Sequence, residues 1–299
     1  MRSRIAVALI ALSLGALAHG SGANAPAKTE FVGSLRWQSD AEKFGGFSGL
    51  ELSDDGMGFT TVSDGGILAQ GRFERDPVSG VMTGVSAFEP LPLLAVNGDE
   101  LVEIWDDAEC LAVAPDGAIF VSFEGIHRVW RYDVAGGVAT QIPQHHDFEH
   151  MQNNSALEAL AIDGDGSLFT LPERSGVLSR PFPVYRFRDG VWQQPFAIRR
   201  RPPFLMVGAD FGPDGKLYLL ERHLSGLFGF RTRVRRFSVG EDGVSQEETL
   251  VSSTTGQFDN LEGISVWRDS AGDIRITMIS DDNFRAFQRT EFVEFRVTE

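Results

Sequence analysis

Glu109-Cys110-Leu111-Ala112-Val113-Ala114-Pro115-Asp116-Gly117-Ala118-Ile119-Phe120-Val121-Ser122-Phe123-Glu124 is the stretch that decides the fold. It reads as a short apolar strand, an Asp-Gly turn, a second apolar strand and an acidic residue. Asp-Gly between two such runs is a hairpin signal. The unit recurs from Ser48 to Asp64, from Glu158 to Glu173, from Val207 to Glu221 and from Glu262 to Asp281. Its turn glycines (Gly56, Gly117, Gly166, Gly215 and Gly272) fall about 50 to 60 residues apart, which is the spacing of a repeat architecture.

Each unit holds more strands than its first two. Val129–Tyr132 and Val138–Ile142 follow in the second unit, and Val184–Phe187 and Trp192–Ile198 in the third. Val234–Val239 and Glu248–Val251 follow in the fourth. Four antiparallel strands repeated radially make an all-β fold, a β-propeller. The spacing predicts five blades of four strands, or six if Pro77–Asp107 holds a degenerate blade. The last unit is one strand short, and Phe31–Trp37 precedes the first unit without a partner. This N-terminal run is therefore expected to join the C-terminal blade and close the ring, removing two sheet edges.

The chain has 299 residues, of which 33 are Gly and 23 Phe, and 42 acidic residues against 27 basic ones give a formal net charge of −15. A polyanion such as nucleic acid is not the expected partner. A cation, or a small anionic or ester substrate held through a metal, fits better. Only Lys28, Lys43 and Lys216 are lysines, and arginine supplies the other cations, in the form suited to fixed bidentate contacts. Residues 1–25 read as a secretory leader: Arg2 and Arg4, then an apolar run from Ile5 to Ala18, then small residues allowing cleavage between about 18 and 23. That predicts a periplasmic or secreted protein, free of the membrane after cleavage, with residues 26–299 forming the propeller. Cys110 is the only cysteine, so no intramolecular disulfide forms, and its apolar setting marks it as a core residue.

Strand direction turns the repeat into a site. If all innermost strands run the same way, their starts and the ends of the second strands share one face of the ring. Glu109, Glu158 and Glu262 stand at the starts; Asp64, Glu124, Glu173, Glu221 and Asp281 stand at the ends. All eight are expected at one mouth of the central channel. Crowded carboxylates repel, so a cation is required, and an all-oxygen set suits Ca²⁺. Arg174 and Arg222 follow two of the acids, and Asn154, Asn260 and Asn283 add neutral oxygens. The alternative is that the acids cap strand ends and pair with arginines. His145-His146-Asp147-Phe148-Glu149-His150 lies in a connection on the same face. It reads either as a solvated loop or as a transition-metal group, with His146 or His150 as an acid/base near the mouth. The arginine runs 199–201 and 231–236 read as polar strand ends and loops, with anion binding as the alternative. Neither a G-x-S-x-G elbow nor a phosphate-cradling glycine loop occurs.

At these residues the chain resembles the bacterial phytase-like family, named for an esterase-like activity of phytase. The resemblance rests on Phe47-Ser48-Gly49-Leu50 with Val62-Ser63-Asp64, Leu157-Glu158-Ala159-Leu160 with Pro172-Glu173-Arg174, and Pro213-Asp214-Gly215 with Leu220-Glu221-Arg222. Asn260-Leu261-Glu262-Gly263-Ile264 with Ile279-Ser280-Asp281-Asp282-Asn283-Phe284 is its most specific part. It implies an exported propeller and Ca²⁺-assisted hydrolysis of an ester or phosphoester. Glu158, Glu262, Asp281 and Asp282 would then be ligands or the general base. Arg174 and Arg222, with His223 and Asn283, would hold the anionic substrate. The near absence of lysine departs from a phosphate clamp and speaks against phytate itself. A lactonase-like propeller and a non-catalytic binding propeller are the other readings.

Overall fold

The computed structural model describes residues 28–152 and 155–298. The expected leader and Asn154 lie outside them. After β1 (Thr29–Arg36), the chain forms five hydrogen-bonded sheets of four strands. The first is β2 (Phe47–Leu52), β3 (Gly58–Ser63), β4 (Ile67–Arg75) and β5 (Met82–Pro92). The second is β6 (Ala108–Val113), β7 (Ile119–Phe123), β8 (Arg128–Tyr132) and β9 (Ala139–Gln141). The third is β10 (Ala159–Ile162), β11 (Leu168–Leu171), β12 (Phe182–Arg188) and β13 (Val191–Ile198). The fourth is β14 (Leu205–Phe211), β15 (Leu217–Leu224), β16 (Phe230–Gly240) and β17 (Gly243–Ser252). The last is β18 (Asn260–Arg268), β19 (Ile274–Asp281) and β20 (Glu291–Val297), completed by β1.

The propeller therefore has five blades. Pro77–Asp107 supplies β5 and a connection tied by the isolated bridges of Leu94 to Glu100 and Val138, not a sixth blade. β1 pairs antiparallel with β20 from Thr29 opposite Val297 to Arg36 opposite Glu291. The ring is thus closed by strand pairing between its two ends, and the β20 edge is covered. The Asp189-Gly190 loop shows why the turn signal works. Both residues have positive φ, 52° and 79°, and Arg188 faces Val191 across a two-residue hairpin.

β2, β6, β10, β14 and β18 pack on one another around the axis. A ring of only five blades brings these inner strands close, and one position in the repeat answers to that. Gly49, Cys110, Ala159, Gly208 and Gly263 occupy it. A Cβ on Gly208 would lie 2.4 Å from the Glu262 carbonyl oxygen, and one on Gly49 2.8 Å from the Leu111 nitrogen. Cys110 fills its place as a small buried side chain, its thiol pushed up to about 12 by burial, which suits a core residue. The apolar faces of neighbouring blades form the core clusters, such as Trp37, Phe47, Phe59, Phe73 and Phe292 between the last blade and the first.

Candidate functional site: an acidic channel mouth

A bulge aims the first residue of each repeat. Ser48, Glu109, Val207 and Glu262 are each the extra residue where the pairing of first and second strands slips by one. Glu158 immediately precedes β10. Bulges turn a side chain out of the regular alternation, and here the turned residue meets the end of the second strand at the mouth.

The second-strand partners follow from the same register. Asp64 donates its N–H to Gly46, Glu124 to Asp107 and Glu173 to Ala156, which makes these three positions equivalent. In the last blade Asp281 faces Asn260. In the fourth blade Glu221 faces Met206, as Ser63 faces Phe47 and Phe123 faces Ala108. The residue equivalent to the mouth acids is therefore Arg222. Because strand side chains alternate, Glu221 is sent to the other face. It is fully buried there between Arg233 (Nε to Oε2, 2.6 Å) and Arg235 (Nη2 to Oε1, 2.6 Å).

The structure thus brings Asp64, Glu109, Glu124, Glu158, Glu173, Glu262 and Asp281 together, with Arg222 as the cation among them. Arg222 donates to Glu173 Oε1 at 3.3 Å and to the Asn260 side-chain oxygen Oδ1, and it pairs with Glu262. Burial works against its charge, yet Glu262, Glu158 and Glu173 outweigh that and raise its pKa. Asn260 donates to Glu262 Oε1 (3.0 Å) and Asp281 Oδ2 (3.3 Å), while Ser48 donates to Asp64 Oδ1 (2.7 Å). Arg174, more exposed, donates to Glu173 Oε2 at 3.0 Å.

Charge on the ring is lopsided. Arg222 pairs directly with Glu173 and Glu262, although burial still raises the Glu262 carboxyl. Glu109 makes no ion pair among the described residues, and only the more distant Arg128 offsets its neighbour Asp107. Burial raises the Glu109 carboxyl well above its usual range, and Glu158, Asp64, Glu124 and Asp107 raise it further. Glu158 is raised likewise, by burial first and then by Glu173 and Glu124. Burial followed by Glu262 pushes Asp64 to about 8, and burial followed by Glu262 and Asp64 pushes Asp281 to about 9. Burial lifts Glu124 to about 7, against the Ala156 N–H that it accepts at 3.1 Å. Asp107 lies within hydrogen-bond reach of Glu109, and Glu124 within reach of Glu158. Two carboxylates that close cannot both ionise without a cation between them.

Carboxylate oxygens of Asp64, Asp107 and Glu109 lie within 4.8 Å of one another, as do those of Glu109, Glu124 and Glu158. Calcium holds oxygens at about 2.3–2.6 Å, so ligands on opposite sides of one ion stand roughly 5 Å apart. The spacing and the hard, all-oxygen chemistry fit such an ion, with Glu109 common to both groups.

The other expected residues sit elsewhere. Asp282 ties loops together: its Oδ1 accepts from Gly46 and Phe284, both 3.0 Å, and its Oδ2 from Thr290 at 3.0 Å. Asn283 is exposed, and its backbone N–H donates to Asp281 Oδ1 at 2.6 Å. His223 packs against Phe204. His146 is on the outer rim, 82% exposed, paired with Asp147 Oδ1 at 2.9 Å, and His150 is exposed. Two site residues were missed. Asp107, two residues before Glu109, was legible as a neighbouring acid. Arg200 is buried over the Phe182 ring with Nε and Nη1 unpartnered among the described residues, and Arg174 and Glu173 act on its charge. It lies inside a run taken for a polar loop. At the channel's far end, half-buried Glu51 and buried Asp210 form a second carboxyl pair, with Asp210 pushed to about 7 by burial. They line a cavity of about 970 Å³.

Fold and site together define a five-bladed propeller with a carboxylate-rich channel mouth. The chain belongs to the phytase-like family, described as esterase-like activity of phytase, which matches residues 42–284. No curated protein matches it. Among solved structures it is similar to a PQQ-bound aldose sugar dehydrogenase from Streptomyces coelicolor, with 12% identity over 91% of this chain and 99% of that one and a TM-score of 0.45. A gluconolactonase from Xanthomonas campestris shows 15% identity over 83% and 72%, TM-score 0.45. Regucalcin from Agrobacterium tumefaciens, titled a calcium-binding protein, shows 12% over 85% and 76%, TM-score 0.45. Likenesses this distant carry nothing about the chemistry of this chain.

Proposed function

We propose that this protein is an exported, Ca²⁺-dependent hydrolase of esters or phosphoesters, with its reaction centre at the acidic mouth. The observation that supports this is the crowding around Glu109: the largest charge effects on it come from Glu158, Asp64, Glu124 and Asp107, and it makes no ion pair among the described residues. Glu109, Glu124, Glu158, Asp64 and Asp107 would hold the ion, with Asp281 and Glu262 beside them. When bound, Ca²⁺ lowers the pKa of a coordinated water and offsets negative charge developing on a phosphoryl or carbonyl oxygen.

The protein's own groups divide the remaining work. Glu262, fixed by Arg222 and Asn260, holds charge and position. Glu158 has no such direct partner, and once a bound cation offsets the crowding that raises its carboxyl it can serve as a general base for water. Arg174 is the exposed arginine at the rim, and together with Arg200 it would take the anionic part of the substrate; Arg222 is already engaged by Glu173, Glu262 and Asn260. Asp282 maintains the loop at the mouth, and His146, open to solvent and paired with Asp147, is assigned no step.

The test is turnover on a panel of aryl phosphates, aryl esters and lactones, after chelation with EDTA and after return of Ca²⁺. Loss on chelation and recovery with Ca²⁺ are expected, and the preferred substrate separates phosphoester from lactone hydrolysis. Full activity in the stripped protein would overturn the metal dependence. Absence of turnover on every substrate, with Ca²⁺ still stabilising the fold, would leave a binding propeller in its place.

A further inference from the structure

Outside the carboxylate ring, one group of side chains combines imidazole with carboxylate. His145, His146 and Asp147 lie in the connection between β9 and β10, just before the 3₁₀ turn Phe148–His150. A ligand atom from each lies within 4.8 Å of the other two. Asp147 is the hub. Its Oδ1 is 2.9 Å from His146 Nε2, and its Oδ2 is 3.7 Å from His145 Nδ1. In a tetrahedral zinc site with bonds of about 2.0–2.2 Å, neighbouring ligand atoms are roughly 3.3 Å apart. The two observed distances bracket that value.

The group is also held in place, as metal ligands are by their supporting hydrogen bonds. The Tyr185 hydroxyl donates to Asp147 Oδ2 at 3.0 Å, and Tyr185 is itself buried on β12. The His145 ring packs between Tyr185 and Phe148, with centroids 4.9 and 5.9 Å away, and its side chain is 11% exposed. His146 stands over His145 at 4.2 Å and is open to solvent. Asp147 and the His145 ring are therefore held in place, with His145 Nδ1 accepting the Asp147 N–H at 3.2 Å, a bond that it would exchange for the metal, and His146 closes from outside. The open side leaves room for water or an exogenous ligand in a fourth position.

We propose that His145, His146 and Asp147 form a second metal site on the outer rim, selective for a borderline transition ion of the Zn²⁺ type and separate from the Ca²⁺ ring. Selectivity follows from donor softness: two imidazoles suit Zn²⁺, Ni²⁺ or Cu²⁺ and offer little to Ca²⁺, whereas the all-carboxylate ring does the reverse. The site rests on its own residues and does not depend on the hydrolase reading.

The test is Zn²⁺ titration by calorimetry on the full protein at pH 7.5 with Ca²⁺ in saturating excess, so that the ring is filled first. Wild type is expected to bind one Zn²⁺. His146→Ala, a change at an exposed side chain that leaves the fold intact, is expected to weaken binding at least tenfold. Asp147→Asn should do the same, and Glu109→Gln should leave it unchanged. Co²⁺ in place of Zn²⁺ should give visible absorption bands of a low-coordinate nitrogen–oxygen site that His146→Ala loses. No Zn²⁺ binding by wild type in excess Ca²⁺, or equal binding by wild type and His146→Ala, would overturn the proposal.

Discussion

Replacing Glu109 by Gln should change stability in opposite senses with and without calcium. Glu109 sits where the carboxylate groups overlap, with Glu158, Asp64, Glu124 and Asp107 all acting on it. Two unit charges 4.8 Å apart, the upper limit for oxygens in its group, repel by about 3.5 kcal/mol at an effective dielectric near 20. In the metal-free protein at pH 8 the fold avoids that repulsion by keeping on Glu109 a proton that the unfolded chain releases; Gln keeps the shape without needing the proton, so stability should rise by roughly 1–3 kcal/mol. With calcium present the same change removes a ligand. At 100 times its Kd an ion stabilises the fold by about 2.7 kcal/mol, and a tenfold weaker Kd halves that to about 1.4 kcal/mol. At about 2–4 °C per kcal/mol, wild type should gain roughly 5–10 °C on calcium addition, and Glu109→Gln about half as much from a higher starting point. Differential scanning calorimetry in EDTA and in Ca²⁺ measures both values. A variant that melts lower in EDTA and keeps the whole calcium increment would refute the claim that these carboxylates await a cation.

Three further outcomes follow from the same geometry. Asp64, Glu124 and Asp281 keep protons in the metal-free fold up to about pH 8, 7 and 9, whereas the unfolded chain releases them near pH 4. The unfolded state therefore binds fewer protons between about pH 4 and 8, so Tm in EDTA should fall as pH rises across that window, and the calcium increment should grow; a Tm in EDTA that rises with pH there would be the wrong sign. Arg222→Gln leaves Glu262 and Glu173 buried without their cation, so a loss of about 3–5 kcal/mol in urea denaturation is expected, more than for Arg222→Lys. Glu221→Gln leaves Arg233 without its carboxylate and Arg235 with Glu247 alone; it should lower stability by a similar amount yet leave Ca²⁺ affinity unchanged, and a shift in affinity would mean that Glu221 does reach the mouth.

The blade pattern was legible because it rests on local signals. Asp-Gly loops force hairpins, and a lone strand at each end of the chain leaves one economical way to close the ring; β1 on β20 follows from that. The mouth was legible only to the nearest residue. Leu220-Glu221-Arg222 looks like Pro172-Glu173-Arg174 in the sequence, and aligning the two glutamates is the natural reading. Register decides otherwise: Met206 faces Glu221, one place earlier than in the other blades' mouth positions, and a shift of one residue in a strand changes the face. No local signal announces a bulge, so the exchange of an acid for Arg222 could not be read. Arg200 was hidden, and Asp107 marked only by its nearness to Glu109, for a different reason. Both reach the site from connections between blades, and the repeat says nothing about those. Asp282 shows the converse, since it sits beside Asp281 in sequence but its carboxylate is spent on Gly46, Phe284 and Thr290.

The central claim is that the carboxylates at the channel mouth form a cation site organised around Glu109. An anomalous difference map from crystals grown with Ca²⁺ tests it most directly. A peak is expected among Glu109, Glu124, Glu158 and Asp64, on the side of the ring away from Arg222. A map with those carboxylates ordered and no peak among them would contradict it.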